Sequence, residues 1–80
     1  MARQRVKFTF PEDLIQRPII WEVGTRFKVV TNIRRADVTP EVAWAILELE
    51  GEPTDIEQGL RWVTDIGVRV DPIEDSIIEG

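Results

Sequence analysis

The residues of this chain that could do chemistry are carboxylates, because the sequence contains neither cysteine nor histidine. The usual nucleophilic thiolates, neutral-pH bases and soft metal ligands are therefore missing. Acidic residues cluster in "EPTDIE" (52–57) and "DPIED" (71–75), without the dense, glycine-broken spacing of a calcium loop. Ser76 has no histidine to activate it. We predict that the chain is not an enzyme and holds no metal or cofactor.

A second set of polar groups lies in "TNIRRADV" (31–38), where an amide and three charges interrupt an apolar run. Asn32 and Arg34 are two residues apart, so on a regular strand both side chains leave the same face. A guanidinium there can bind a carboxylate with two hydrogen bonds. Plain hydration of Asn32 on a solvent-facing strand is the alternative.

Alternation and helical spacing predict the elements that position these residues. They are a strand at 5–10, a helix from Pro18 to Phe27, a hairpin of strands at 28–38 and 42–50, a helix at 54–67 and a strand at 68–70. Thr54 and Glu57 are expected to form a capping box, and Gly67 to end the second helix. This order, βαββαβ, predicts an α+β ferredoxin-like sandwich: a four-stranded antiparallel sheet of order 4-1-3-2 with two helices on one face. One domain is expected over 1–80, with a core at 5–71 and an acidic tail at 72–80.

The charge is unevenly distributed along the chain. Residues 1–35 carry eight lysines and arginines against three acidic residues, whereas 36–80 carry two against twelve. In the predicted sheet the two halves meet, and Arg5 and Lys7 are expected to pair with Glu48 and Glu50. The net charge of −5 disfavours a nucleic-acid partner. The outward positions of the first strand also lack the aromatic pair of an RNA-recognition motif.

The sheet face without helices is the predicted interaction surface. Four apolar residues are expected to form a contiguous island on it: Val30, Val42, Trp44 and Ile46. Such a patch on a small domain usually marks a contact, so a homodimer interface is predicted at Val30, Asn32, Val42, Trp44 and Ile46. A ligand is expected at Asn32, Arg34, Trp44 and Ile46. Trp21 and Trp62 are interpreted as boundary residues that seal the helix layer, with a second partner site as the alternative.

The sequence also resembles a known family. The segments that carry the likeness are "VKFTFP", "RPIIWEVGTRF", "VVTNI", "TPEVAWAILELEGEP" and "DIEQGLRWVTDIGVRV", which together span 6–70. They are similar to the NIL domain, a ferredoxin-like relative of the ACT ligand-binding domains. That family is best known at the C-terminus of methionine-transporter ATPases, and it also occurs in ferredoxin fusions and alone. Its Asn-Ile-Leu tripeptide stands here as Asn32, Ile33 and Arg34, so the third position differs.

The resemblance implies a regulatory or adaptor domain that self-associates through its sheet and binds a small amino-acid-like ligand such as methionine. The alternative is a pure protein-interaction subunit for a transporter or redox partner, without a small ligand. The apolar runs, such as Pro18 to Trp21 and Val42 to Leu47, are far shorter than the ~20 residues that span a bilayer. No membrane insertion and a cytoplasmic location are therefore expected.

Overall fold

A computed structural model describes residues 1–73 of the chain; residues 74–80, which include most of the predicted acidic tail, lie outside the described part. The elements are β1 (Ala2–Phe10), a 3₁₀ turn (Glu12–Leu14), α1 (Ile19–Phe27), β2 (Val30–Val38), β3 (Ala43–Gly51), α2 (Pro53–Asp65) and β4 (Arg69–Pro72). The strands form one four-stranded antiparallel sheet in the order β2-β3-β1-β4. This confirms the predicted ferredoxin-like fold. Within residues 1–73, no helix is long and apolar enough to cross a membrane.

The core lies between the sheet and the two helices. β1 and β3 pair so that Val6 is opposite Leu47 and Phe8 is opposite Ala45, and all four residues are buried. The helices contribute a second set of buried side chains, which are Ile19 and Val23 from α1 and Ile56 and Val63 from α2. Each fully buried aliphatic or aromatic side chain stabilises the fold by about 1.5–3 kcal/mol. Alternate burial along β1 and β3 therefore fixes which residues face the helices.

The start of α2 differs from the prediction. The N-cap residue is Glu52, Pro53 occupies the first turn, and no side chain caps the free N–H groups. The predicted capping box of Thr54 and Glu57 is therefore wrong. Proline at the first helical position has its φ fixed near the helical value and has no N–H to satisfy, so the helix begins before Thr54 and that residue lies inside it.

The end of α2 matches the predicted stop at Gly67. The N–H of Gly67 donates to the carbonyl of Thr64 at 3.1 Å, and that of Val68 donates to the carbonyl of Val63 at 3.1 Å. Gly67 has a φ of 112°. These bonds and this dihedral form a Schellman motif, which satisfies carbonyl groups at the helix end and turns the chain directly into β4.

We predict that Gly67→Ala lowers the free energy of unfolding by about 1–2 kcal/mol, because an L side chain is strained at this φ. The added methyl would lie 3.7 Å from Leu14, an ordinary contact, so the cost comes from the backbone. Gly59→Ala in the same helix is the matched control. Its methyl would lie 3.5 Å from Val23, and the higher helix propensity of alanine favours it by up to about 1 kcal/mol. Urea unfolding followed by circular dichroism measures both, and equal effects would contradict the interpretation.

Candidate functional site

The sheet face without helices, here called the open face, carries cross-strand pairs of opposite charges. Arg5 lies opposite Glu48 in the β1–β3 ladder and approaches its carboxylate to 3.4 Å. Arg3 lies opposite Glu50, with an N–O distance of 3.7 Å. The predicted pairing of β1 cations with Glu48 and Glu50 is thus confirmed for Arg5, whereas Arg3 takes the place expected for Lys7. These two pairs join the basic and acidic halves of the chain across the β1–β3 ladder.

Trp44 and Ile46 lie in the centre of the open face. Their neighbours along β3, Ala45 and Leu47, are buried beneath the helices, so the side chains of Trp44 and Ile46 point away from the helices. Lys7 is opposite Ile46, and its ammonium lies 5.2 Å from the Trp44 ring centroid. At that distance the cation is attracted to the indole ring. Trp44 is half-buried and already contacts a positive charge of its own chain.

A β-bulge in β2 changes which residues share the open face. Ile33 pairs with Leu47 and Arg35 pairs with Ile46, so Arg34 has no partner across the ladder. Asn32, opposite Glu48, is on the open face as expected. The inserted residue shifts the alternation, and Arg35 rather than Arg34 occupies the position opposite Ile46. The expected regular alternation from Asn32 to Arg34 is therefore wrong.

Val30 is separated from the other apolar residues of the open face. Val30 lies opposite Glu50, six residues along β3 from Trp44, which corresponds to about 20 Å of strand. Val42 precedes β3 in the hairpin turn, where its N–H and carbonyl both bond to the Thr39 side chain. The expected contiguity is therefore wrong for Val30, whereas Trp44 and Ile46 are neighbours on the same face of β3. Ligand and dimer contacts at Val30, Asn32, Arg34, Val42, Trp44 and Ile46 stay predictions.

The structure instead contains an apolar groove where the N-terminal end of α1 meets the distal half of the β2–β3 hairpin. Its volume is about 200 Å³. The lining residues are Phe10, Ile15, Arg17, Pro18, Ile19, Ile20, Trp21, Ile33, Ala36, Val38, Ala43, Trp44 and Ala45. Three large hydrophobic residues of this lining are exposed: Trp21 at 67%, Ile33 at 53% and Val38 at 65%. We refer to this feature as the apolar groove.

The bulge explains the apolar groove. Because the alternation shifts at Arg34, Ala36 and Val38 pair with Ala45 and Ala43 and so share the helix-facing side of the sheet with them. α1 has only nine residues and leaves this end of β2 uncovered. The groove is not expected if one alternation continues through the whole of β2. The available signal was Ile33, Ala36 and Val38, whose spacing of three and then two fits a strand with one inserted residue.

Comparison with known proteins assigns the family. The model of the NIL domain matches residues 4–72, nearly the whole described chain. The chain belongs to the NIL domain family. A similar solved structure is the C-terminal domain of an ABC transporter ATP-binding protein from Enterococcus faecalis, with a TM-score of 0.77 and 17% identity over 90% of this chain and 84% of the other. At that identity the likeness concerns the fold.

A curated relative of this NIL domain is the iron–sulfur subunit of an L-aspartate semialdehyde sulfurtransferase from Methanocaldococcus jannaschii. The two are 34% identical over 65 residues, which is 81% of this chain. The chain spans 50% of the length of that relative. In the NIL domain described here, residues 1–73 contain no group of three or more carboxylates positioned to hold a metal ion.

The family's Asn-Ile position lies next to the apolar groove. Ile33 lines the groove, whereas the Asn32 side chain lies on the open face, opposite Glu48. The tripeptide therefore contributes one residue to each face, and Arg34, the position that differs, lies in the bulge. The four residues predicted to hold a ligand do not share a cavity, and of them only Trp44 lines the groove.

Arg17 is the charged residue of the groove lining, and it is held by an ion-pair cluster. It donates two hydrogen bonds to the Glu22 carboxylate, at 2.8 and 3.0 Å. Its guanidinium lies 5.6 Å from the Trp62 ring centroid, and that of Arg26 lies 4.8 Å from the same centroid. Trp62 also packs on Phe27 at 5.9 Å. The boundary interpretation thus fits the half-buried Trp62, while Trp21 is too exposed to seal the helix layer.

The cluster shifts the pKa of Glu22. The hydrogen bonds from Arg17 and the positive charges of Arg17 and Arg26 hold the pKa of this carboxyl below its ordinary value, against a smaller opposing effect of burial. A carboxyl whose pKa is lower in the folded state stabilises the fold above its unfolded pKa. That contribution is lost as the pH falls through the folded pKa.

We predict that Arg17→Gln raises the pKa of Glu22 toward that of a free glutamate and reduces the loss of stability on acidification. Side-chain carboxyl chemical shifts followed by NMR during a pH titration measure the change. The control is Arg61→Gln, which removes an exposed pair with Glu57 at 3.8 Å and should leave Glu22 unaffected. An unchanged Glu22 pKa in Arg17→Gln would contradict the assignment.

Proposed function

We propose that this NIL domain is a non-catalytic regulatory or adaptor module that self-associates through its sheet and binds a small amino-acid-like ligand such as methionine. The observation that supports the ligand is the apolar groove, bordered by the family's isoleucine, Ile33. At about 200 Å³ it is smaller than the ~300–1,000 Å³ cavities that hold drug-sized ligands. A single aliphatic or thioether side chain suits this size and this apolar lining.

The polar end of such a ligand would lie at the rim of the groove. Arg17 is close by, and its two hydrogen bonds to Glu22 use only part of its five N–H donors. A ligand carboxylate could accept from the remaining N–H groups, while its side chain contacts Trp21 and Ile33. This arrangement favours a zwitterionic amino acid with an apolar side chain over a charged one.

The open-face set remains a second location for the same ligand. Asn32 supplies a polar group there, and Trp44 and Ile46 supply apolar surface. Arg34, the fourth residue of the set, lies in the bulge and has no position in the ladder. The four residues of this set do not share a cavity, whereas the groove is an apolar cavity of about 200 Å³. The groove is therefore the better supported location.

A different class of function is a protein-interaction subunit without a small ligand. It is favoured by Trp21 and Val38, two residues of the groove lining that expose 67% and 65% of their surface to solvent. Both relatives described above are parts of larger proteins, one an ABC transporter ATP-binding protein and the other an iron–sulfur subunit. A transporter or a redox protein is the corresponding kind of partner.

We predict that calorimetric titration with a panel of free amino acids detects binding of methionine or another apolar member, accompanied by a change in tryptophan emission, because the exposed Trp21 lines the groove. Ile33→Ser should then weaken binding by about fivefold or more, since loss of one or two buried methylene-sized contacts costs about 1–3 kcal/mol. If no amino acid of the panel gives a binding heat, the ligand-binding proposal is contradicted and the protein-interaction subunit is the function that is left.

Val30→Ser is the matched control for Ile33→Ser. Val30 is on the same strand and similarly exposed, at 59% against 53%. Its side chain, however, lies on the open face, opposite Glu50. We expect ligand binding by Val30→Ser to equal that of the unchanged protein. The reverse result, binding weakened by Val30→Ser or Asn32→Ala and unaffected by Ile33→Ser, would place the ligand on the open face.

A further inference from the structure

β2 is an unpaired edge of the sheet. It has nine residues, Val30 to Val38, and its only neighbouring strand within residues 1–73 is β3. Almost all of its residues are exposed. Such an edge presents free N–H and C=O groups that can pair with another strand. Which residues present them is determined by the β2–β3 ladder.

The hairpin turn determines which residue pairs of that ladder are hydrogen-bonded. The N–H of Thr39 donates to the carbonyl of Val42 at 2.8 Å, so these two residues form a hydrogen-bonded pair. In an antiparallel ladder, hydrogen-bonded and non-hydrogen-bonded pairs alternate. Arg35 and Asp37 therefore direct their backbone groups toward β3, whereas Ala36 and Val38 direct theirs toward the free edge.

Two opposite charges flank Ala36. Arg35 is opposite Ile46 and Asp37 is opposite Trp44, so both side chains project from the open face. In the part of the chain that the structure describes, neither side chain belongs to an ion pair. The edge thus carries a cation and an anion two residues apart, with one outward-directed backbone position between them.

We propose that a second copy of this chain adds antiparallel to β2 at this edge, with a two-fold axis at Ala36; the proposal rests on the self-association included in the proposed function and specifies where it occurs. Ala36 of one copy and Ala36 of the other form the central hydrogen-bonded pair. Arg35 then lies opposite Asp37 of the second copy, and the two-fold axis generates the same pair again. These are non-hydrogen-bonded positions, where opposing Cα atoms approach to about 4.5 Å and side chains are closest.

The charges select this register over its neighbours. A two-fold axis at Arg35 would place two guanidinium groups opposite each other, and one at Asp37 would do the same with two carboxylates, which is destabilising. Both axes would also use backbone groups that already bond to β3. Charges on edge strands often serve to prevent pairing, but a cation and an anion two residues apart favour one antiparallel partner, a second copy centred on Ala36.

The opposite edge of the sheet provides the comparison. β4 carries the same arrangement, Arg69 and Asp71 around Val70, but there the two side chains bond to each other at 3.0 Å. That strand has only four residues. The charges of β4 are thus neutralised within their own strand, and those of β2 are available to a partner.

The register also joins the two apolar grooves. Ala36 and Val38 line the groove on the helix side of the sheet, directly beneath the proposed axis. The grooves of the two copies then become neighbours, and the exposed Trp21, Ile33 and Val38 of each copy lie next to the partner. The dimer would therefore enlarge and partly enclose the groove that an isolated copy leaves open.

The test is a charge-reversal cycle read by sedimentation equilibrium at several protein concentrations and low salt. We expect the unchanged chain to dimerise, and Arg35→Asp or Asp37→Arg alone to weaken self-association by about tenfold or more, because each places four like charges around the axis. The double variant Arg35→Asp/Asp37→Arg restores opposite pairs and should return the dissociation constant to within about threefold of the original. Circular dichroism verifies that each exposed substitution leaves the fold intact.

Arg69→Asp and Asp71→Arg are the controls, with the same changes in net charge on the other edge strand, and they should dimerise like the unchanged chain. Amide exchange gives an independent measure: the Ala36 N–H should become protected as concentration rises, while that of Asp37 is protected throughout. A chain that stays monomeric overturns this interface, whether or not it binds an amino acid. A dimer that tolerates both single reversals overturns this register but leaves self-association, and the proposed function, in place.

Discussion

The burial of every second residue along β3 is the constraint on which the rest of this structure depends. Every second residue from Ala43 to Leu49 is buried beneath the helices, and a slip of one residue would expose that whole set. β3 is paired on both sides, so its phase is imposed on β1 through the Val6–Leu47 pair and on β2 through the Ile33–Leu47 pair. The positions of Trp44 and Ile46 on the open face follow from this burial.

The bulge at Arg34 is the one place where a neighbouring strand departs from that phase. On one side of it β2 presents Asn32 to the open face, and on the other side it presents Arg35. A single inserted residue therefore moves Ala36 and Val38 to the helix side, where they border the apolar groove, and leaves Arg35 and Asp37 on the charged side. The groove and the charged edge thus have one structural origin.

The fold was largely predictable because its main signals are local and strong. The alternation of β1 and β3, the apolar stripe of α2 and the stop at Gly67 determine the element order, and the right-handed crossover rule then determines the strand order. Burial also decided the direction of Trp44. The ion pair of Arg5 and Glu48 could be predicted because both residues lie on regular, adjacent central strands. Conversely, Thr54 and Glu57 have the spacing of a capping box, yet proline at the preceding position began the helix earlier.

The site was less predictable because it depends on tertiary geometry at the least constrained strand. The bulge contains no glycine and is marked only by the changed spacing of a few apolar residues, and β2 is an edge strand, so only one neighbour enforces its alternation. Ile33, Ala36 and Val38 are individually ordinary strand residues. They become a groove only because α1 has nine residues and does not extend over the end of β2, and the length of that uncovered segment cannot be read from either element alone.

The distribution of charge connects these features to association. Much of the basic charge of the first half of the chain is paired within the fold, Arg3 and Arg5 with β3 and Arg17 and Arg26 with Glu22. The ion pairs lie on the central strands and the helix layer, where neighbours on both sides fix the geometry. β2 has a neighbour on one side only, and within residues 1–73 its Arg35 and Asp37 belong to no ion pair. The strand whose alternation is least constrained is therefore also the one whose polar groups and apolar surface are most available to another molecule.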